Sequence, residues 1–199
     1  EFLIEQGADV NASARHAGTV LDVADDSDQP APERQALVAW LQARGARFSQ
    51  VRFETTQVSP RIRRLAFPWG MMNNVLVFSG SDGAVVVDSG FSARAVEGLK
   101  QEIAAFCKPG TRFLVNTHGH GDHVAGNALA PSPSAVITAA SLAAGSAGLP
   151  IAKETEPLKG RTTRTLPAPY VLSTGGTRIE LIPRPGLHSD QDVMVYFPS

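Results

Sequence analysis

The chain has 199 residues, of which 43% are hydrophobic and 19% charged, a composition typical of one or two packed domains rather than a disordered segment. The net charge is −1 and the basic residues are dispersed, which argues against nucleic acid as a partner. The single cysteine, Cys107, excludes an internal disulfide and a Cys-rich zinc site. No apolar run reaches the roughly 18–20 residues that span a bilayer.

The sequence starts at Glu1 rather than at methionine and has no amino-terminal signal core. We therefore expect it to begin inside a longer product, and its localisation stays open. The composition gives no further indication of a compartment, because one thiol is compatible with both reducing and oxidising surroundings.

Residues 1–47 are predicted to be helical and repetitive. The turn Gly7-Ala8-Asp9-Val10-Asn11-Ala12 has a second copy that begins at Gly45, which is 38 positions further on. Without a short polar insertion in residues 26–32, this spacing approaches the period of about 33 residues that ankyrin repeats show. The segment resembles one ankyrin repeat and the tail of another. The resemblance implies further repeats upstream and a protein partner, whereas the alternative is two ordinary helices packed on the next domain.

After Phe48 the hydrophobic pattern changes from helical to extended, so a second domain is predicted over residues 48–199. Short apolar runs at 75–78 and 84–88, joined by a Gly/Ser/Asp segment, indicate a hairpin after a turn at 68–70. Helices are predicted at 92–107, where Cys107 is a small buried residue, and at 122–129, with a weak helix and loop over 141–168. The predicted strands are residues 51–55, 61–67, 75–78, 84–88, 112–116, 135–138, 170–172, 178–183 and 193–197.

Strands that alternate with helices after an initial antiparallel stretch favour a layered α/β fold, in which chemistry takes place at the strand ends. A concentration of metal-ligand side chains follows one of these strands, in the run Thr117-His118-Gly119-His120-Gly121-Asp122-His123. Three of the five histidines of the chain lie in this run, and imidazole nitrogen is a favoured zinc donor. His118 and His120 are spaced to aim into one cavity. Adjacent side chains diverge, so Asp122 and His123 are expected to serve a second ion beside the first.

The run resembles the His-x-His-x-Asp-His signature of the metallo-β-lactamase superfamily, followed here by Gly126-Asn127. Asp88, in Val87-Asp88-Ser89-Gly90, is similar to the aspartate that supports the metal ligands in that family. The segment around His188 resembles the one that supplies the third histidine of the first metal site. The resemblance implies the first half of an αβ/βα sandwich, preceded by the ankyrin-like segment.

By this resemblance His118, His120 and His188 hold one zinc ion, and Asp122 and His123 hold part of a second, while His16 is not a ligand. The family's remaining ligands come from the second half of the fold, so we expect two zinc ions in the full-length protein. A weak second site and poor catalysis are expected of the 199 residues alone.

The function that these residues predict is zinc-dependent hydrolysis of a small-molecule substrate by metal-activated hydroxide, with Asp122 orienting the nucleophile or accepting its proton. Esters, lactones, thioesters and β-lactam-like amides are all compatible with the resemblance. One alternative is an iron-dependent oxidoreductase that acts on a sulfur substrate, because imidazole suits iron and zinc alike. The other is an interaction protein in which the ankyrin-like segment binds a partner and the metal domain is secondary.

Overall fold

A computed structural model describes residues 2–14, 18–25, 31–49, 52–67, 73–90, 95–130, 136–139, 164–166 and 168–198. The chain divides into two compact units, one formed by Glu1–Arg52 with Phe67–Met72, and the other by Phe53–Ala66 with Asn73–Ser199. In the described residues no helix has the length and apolar character needed to cross a membrane. The predicted turn at 68–70, most of the weak helix and loop at 141–168, and His16 lie outside the described residues.

The first unit is built from short helices around a small apolar core. Its elements are α1 (Phe2–Glu5), β1 (Ser13–Ala14), β2 (Gly18–Thr19), α2 (Val20–Asp25) and α3 (Ala31–Gln42). The buried side chains of Leu21, Ala24, Leu41 and Ala46 form the core. This agrees with the helical character that the sequence predicted for residues 1–47.

The two turns of this unit are joined by the side chain of Asn11. Its Nδ2 atom donates to the carbonyl of Gly45 at 3.1 Å, and its Oδ1 atom accepts from the amide of Arg47 at 2.7 Å. A second junction is made by Asp22, whose Oδ2 atom accepts from the amides of Thr19 at 2.7 Å and Ser49 at 3.0 Å. The recurring turns recognised in the sequence therefore contact each other directly.

The second unit contains two sheets. A seven-stranded mixed sheet has its strands in chain order, with antiparallel pairing up to β6 and parallel pairing from there on. A three-stranded antiparallel sheet follows. The seven strands are β3 (Glu54–Ser59), β4 (Ile62–Ala66), β5 (Asn74–Gly80), β6 (Gly83–Val87), β7 (Thr111–Val115), β8 (Val136–Ala139) and β9 (Arg164–Leu166); the three are β10 (Tyr170–Thr174), β11 (Thr177–Pro183) and β12 (Val193–Tyr196).

The two sheets pack face to face through one buried apolar cluster. The larger sheet contributes Phe78, Val85, Val115 and Ile137, and the smaller contributes Leu172, Ile179, Leu181 and Val193. On β6 every residue is buried, which explains why its sequence is a continuous apolar run rather than an alternating one. Helix α4 (Val96–Phe106) buries Leu99 and Ile103 and contacts β7. The mixed layered architecture confirms the predicted α/β fold class.

Two predictions for this unit were wrong. The expected continuous helix over 122–129 is a four-residue helix, α5 (Gly121–Val124), followed by a 3-10 turn, Asn127–Leu129. The helix stops because the carbonyl of His123 accepts hydrogen bonds from Ser89 and Asn116, which lie outside it. In addition, β9 lies within the stretch expected to be a weak helix and loop, where it pairs in parallel with β8.

The arrangement of the parallel strands determines where chemistry can occur. Strands β6 and β7 run parallel, so their carboxyl ends meet at one edge of the sheet. Asp88 directly follows β6, and the run from Asn116 to His123 directly follows β7. The amide of Val193, at the start of β12, donates to the carbonyl of Thr117 at 2.7 Å, which attaches the smaller sheet to the same edge.

Candidate metal centre

Three histidine rings converge at this edge. The Nε2 atoms of His118 and His188 each lie 3.1 Å from the Nδ1 atom of His120. One nitrogen from each ring lies within 4.8 Å of the other two, and the rings meet edge to face. Three imidazole nitrogens that share one small volume fit a divalent metal ion, and imidazole suits zinc and iron alike.

His118 and His120 are close together in the sequence, and the fold brings the distant His188 to them. His118 and His120 leave the end of β7, and His120 is the residue that precedes α5 in extended conformation. His188 lies 68 positions after His120, in the segment between β11 and β12. The three residues predicted for the first metal ion thus lie together, with His118 buried and His188 exposed.

Asp88 lies beneath the histidine loop and fastens it at several points. Its Oδ1 atom accepts the amide of Thr117 at 2.8 Å, and its Oδ2 atom lies 2.8 Å from both the Thr117 hydroxyl and the Nδ1 atom of His123. Asp88 has a φ of 62°, a backbone conformation that non-glycine residues adopt rarely and that aspartate tolerates better than most. The Nδ1 atom of His123 is hydrogen-bonded to Asp88. The Nε2 atom is therefore the ring nitrogen with which His123 would bind a metal ion.

Asp122 and His123 form a second group of donors beside the three histidines. The Nε2 atom of His123 lies 3.2 Å from a carboxylate oxygen of Asp122, and the rings of His123 and His118 have centroids 3.9 Å apart. The expectation that these adjacent side chains diverge is not met, since both turn to the same side of the short helix. The pair offers one nitrogen and one oxygen next to the first site, although the described residues show no further donor converging on it.

The protonation states in this cluster differ sharply between neighbouring histidines. Burial, together with the positive charge of His123 and the other histidines, lowers the pKa of His118 to about 4. Burial acts in the same direction on His123, but hydrogen bonds to Asp122 and Asp88 outweigh it and raise the pKa of His123 to about 9. The hydrogen bond from His123 lowers the pKa of Asp122. At neutral pH His118 is therefore a neutral donor, and Asp122 is a carboxylate.

Asp192 is a positioning residue that the sequence reasoning missed. Its buried carboxylate accepts the amides of His188 at 2.6 Å and Ser189 at 2.9 Å, and it also accepts the Ser189 hydroxyl at 2.8 Å. Burial opposes ionisation of Asp192, but these donors outweigh it and lower its pKa. The signal available in the sequence was a serine three positions before an aspartate at the start of a strand, a pattern typical of a side-chain-capped turn.

The comparisons with known proteins agree with this geometry. The sequence profile of the Metallo-beta-lactamase superfamily matches residues 68–199. None of the curated proteins matches the chain significantly.

Similar solved structures include a metallo-beta-lactamase from Pontibacter korlensis, with 24% identity and a TM-score of 0.57 over 74% of this chain and 67% of that one. The DIM-1 metallo-beta-lactamase has 22% identity and a TM-score of 0.57 over 75% and 67%. A variant of the flavo di-iron protein from Thermotoga maritima has 13% identity and a TM-score of 0.55 over 74% of this chain and 41% of that one. Given the match over most of its length, the chain belongs to the metallo-beta-lactamase superfamily.

Proposed function

We propose that this protein is a zinc-dependent hydrolase that acts on an ester, lactone, thioester or β-lactam-like amide. The observation that carries the proposal is the convergence of three imidazole nitrogens with an Asp122–His123 pair beside them. Zinc, when bound, supplies a Lewis acid that lowers the pKa of a coordinated water to about 7. The remaining chemistry belongs to the side chains around it.

In this proposal His118, His120 and His188 hold the first ion. His118 is well suited to this role, because its lowered pKa of about 4 keeps its ring neutral and free of a competing proton at neutral pH. Asp88 holds His123 through Nδ1, so that His123 presents Nε2 toward Asp122. His123 and Asp122 are assigned to a second ion, which has to displace the proton that the raised pKa of about 9 keeps on His123 at neutral pH.

Asp122 has the properties required of the group that orients the nucleophile and accepts its proton. Its pKa is lowered by the hydrogen bond from His123, so it is a carboxylate at neutral pH. It lies beside the histidine cluster and is partly exposed, so solvent reaches its carboxylate. Substrate selectivity lies in the residues around the cluster rather than in the donors themselves.

The test is to measure metal content and turnover together. Protein purified without added metal is analysed for zinc and iron, and hydrolysis is assayed with ester, lactone, thioester and β-lactam substrates before and after removal and replacement of zinc. Zinc-dependent turnover of one substrate class supports the proposal. Bound iron together with oxygen consumption, and no hydrolysis by the zinc-loaded protein, contradicts it.

The second candidate is an iron-dependent oxidoreductase acting on a sulfur substrate. Two observations favour it: imidazole and carboxylate donors suit iron as well as zinc, and the fold resembles that of a flavo di-iron protein. The same metal analysis separates the two candidates, because the oxidoreductase requires iron and consumes oxygen with a thiol or persulfide substrate.

The first unit supports a separate proposal, that residues 1–47 are an ankyrin-like segment that binds a protein partner. The side chain of Asn11 bonds to the backbone of Gly45 and Arg47, so that one turn contacts its copy. Contact between successive units is a feature of repeat proteins. Replacing exposed residues of this segment should abolish partner capture without changing zinc binding, and unaffected capture would refute the assignment.

A further inference from the structure

A buried polar cluster behind the histidine loop has no part in the chemistry described so far. It consists of Ser89, after β6; Asn116, at the end of β7; and Asn127, in the 3-10 turn. All three residues are fully buried. Burying polar side chains costs free energy unless every group is satisfied, so a cluster of this kind needs a compensating reason.

The two asparagines form a reciprocal amide pair. Nδ2 of Asn116 donates to Oδ1 of Asn127, and Nδ2 of Asn127 donates to Oδ1 of Asn116, each at 3.0 Å. The hydroxyl of Ser89 lies 3.0 Å from the same Oδ1 atom of Asn127 and 3.0 Å from the carbonyl oxygen of His123, and it donates its one proton to either. The reciprocal bonds fix the orientation of both amides.

Two members of the cluster, Ser89 and Asn116, contact the same backbone atom, the carbonyl oxygen of His123. That oxygen lies 2.9 Å from the amide of Ser89, 3.0 Å from its hydroxyl and 3.2 Å from Nδ2 of Asn116. Because Asn116 precedes the histidine loop and His123 ends it, the bond between them closes residues 116–123 into a ring. The loop carries His118, His120, Asp122 and His123.

The backbone around this cluster is also closely packed. A Cβ atom at Gly126 would overlap the carbonyl oxygen of Ser89, so only glycine allows the segment after α5 to lie against the segment after β6. Asn127 follows directly and enters the cluster. Gly126 and Asn127 thus both keep the segment after α5 against the segment after β6.

We infer that Ser89, Asn116 and Asn127 are positioning residues that lock the histidine loop into its metal-binding conformation before any metal is bound. The conformational entropy of ordering the loop is then lost on folding rather than on metal binding, which raises metal affinity. The inference rests on the proposed metal site but not on the choice of substrate or reaction.

The test uses the metal-free protein and amide hydrogen exchange. In the loop the amide of His123 donates to the carbonyl of His120, and at the end of α5 the amide of Ala125 donates to the carbonyl of Gly121, both at 2.9 Å. These two amides report loop opening. The double variant Asn116→Leu with Asn127→Leu removes the polar groups together, and it avoids stranding one buried partner while keeping the branching of both side chains.

We expect exchange at His123 and Ala125 to accelerate at least tenfold in the double variant, while the amides of β6 and β7 are unchanged. Zinc affinity should fall by about 10–100-fold, as for other groups that orient ligands from behind. Ser89→Ala keeps the backbone bond and removes only the hydroxyl, so it should shift both quantities in the same direction by less.

Asp192→Ala is the matched control, since it removes the support of a different ligand. It should accelerate exchange at His188 and Ser189, whose amides Asp192 accepts, and leave His123 and Ala125 unchanged. Unchanged exchange at His123 and Ala125 in both cluster variants overturns the inference, as does uniform acceleration through β6 and β7. A zinc affinity equal to that of the wild type overturns it too. Absence of hydrolysis with the expected exchange pattern contradicts only the proposed function.

Discussion

The Nδ1 atom of His123 lies 2.8 Å from the carboxylate of Asp88, which itself accepts the backbone amide of Thr117. One carboxylate thereby holds both ends of the loop that carries the metal donors. Asp88→Ala should reduce metal affinity or activity by about 10–100-fold, less than loss of a ligand, because the donors themselves remain. Asp88→Asn, which keeps the hydrogen bonds to Thr117, should be milder. An effect of Asp88→Ala as large as that of His120→Ala would mean that Asp88 contacts metal or substrate directly.

Replacing His120 tests the ligand assignment. The Nδ1 atom of His120 is 3.1 Å from the donors of both His118 and His188, so His120→Ala removes the nitrogen common to both close pairs. We expect loss of the first equivalent of zinc and of most activity, measured by metal analysis and turnover, since water replaces a histidine donor poorly. His16→Ala is the matched control and should change neither. Full zinc content and turnover in His120→Ala would refute the assignment.

Replacing Asp192 tests whether His188 is the third ligand without changing His188 itself. Asp192→Ala leaves the amides of His188 and Ser189 without their acceptor, so the segment that carries His188 should lose its fixed conformation. We expect zinc affinity to fall by about tenfold, measured by competition with a chelating dye. Asp192→Asn keeps one acceptor oxygen and should recover part of the loss. Wild-type affinity in Asp192→Ala would show that His188 is held by other contacts.

The pH dependence of stability follows from two histidines with opposite shifts. The pKa of His118 falls from 6.5 to about 4, so the unfolded chain binds the extra proton and stability is lost as the pH drops from 6.5 toward 4. The pKa of His123 rises from 6.5 to about 9, so its contribution is complete below pH 6.5 and is lost as the pH rises through 9.

The metal-free protein should therefore be most stable between these two limits, near pH 7, with urea midpoints that fall on both sides. His123→Gln should remove the alkaline loss, and it should reduce the acidic loss only in part, because burial still lowers the pKa of His118 when the charge of His123 is gone. A midpoint that rises steadily from pH 5 to pH 9 in the wild type would contradict the raised pKa of His123, and one that falls steadily over the same range would contradict the lowered pKa of His118.

The close contact between Gly126 and the carbonyl of Ser89 predicts that a side chain at position 126 destabilises the protein. Gly126→Ala forces a Cβ atom onto the carbonyl of Ser89, and backbone at both sides must move. We expect destabilisation by about 1–3 kcal/mol, measured by urea unfolding of the metal-free protein. The φ of Gly126 is −89°, a region that alanine adopts freely, so the cost comes from the overlap and not from the backbone conformation. An unchanged free energy of unfolding in Gly126→Ala would argue against close packing at Gly126.

Local chemistry is the reason that much of the fold and of the first metal site was predictable. Apolar runs such as that of β6 and the hairpin between β5 and β6 follow from residue pattern alone. His118 and His120 were recognisable because two imidazoles that closely follow a strand, in a chain with only five histidines, indicate a shared metal ion. His188 needed the family resemblance, since nothing near it in the sequence shows that it returns to the first two.

What could not be predicted depends on tertiary contacts. The break in the predicted helix after Val124 is caused by Ser89 and Asn116, which reach the carbonyl of His123 from other elements. The sequence around Asp192 indicates at most a capped turn with Ser189, and only the fold shows that its carboxylate also accepts the amide of His188. Strand β9 forms because β8 offers it an edge, whatever its own weak propensity.

The bond from the amide of Val193 to the carbonyl of Thr117 has a consequence for the order of events during folding. Before the smaller sheet docks on the larger one, a metal ion can bind only to the side chains at residues 118–123. His188 joins them slowly, because the long chain segment between residues 123 and 188 has to close first. An ion that binds the completed site and not the partly folded chain pulls the docking equilibrium forward by mass action. Metal binding would accordingly favour the docked chain, in which the apolar side chains of Val115 and Val193 are buried in one cluster.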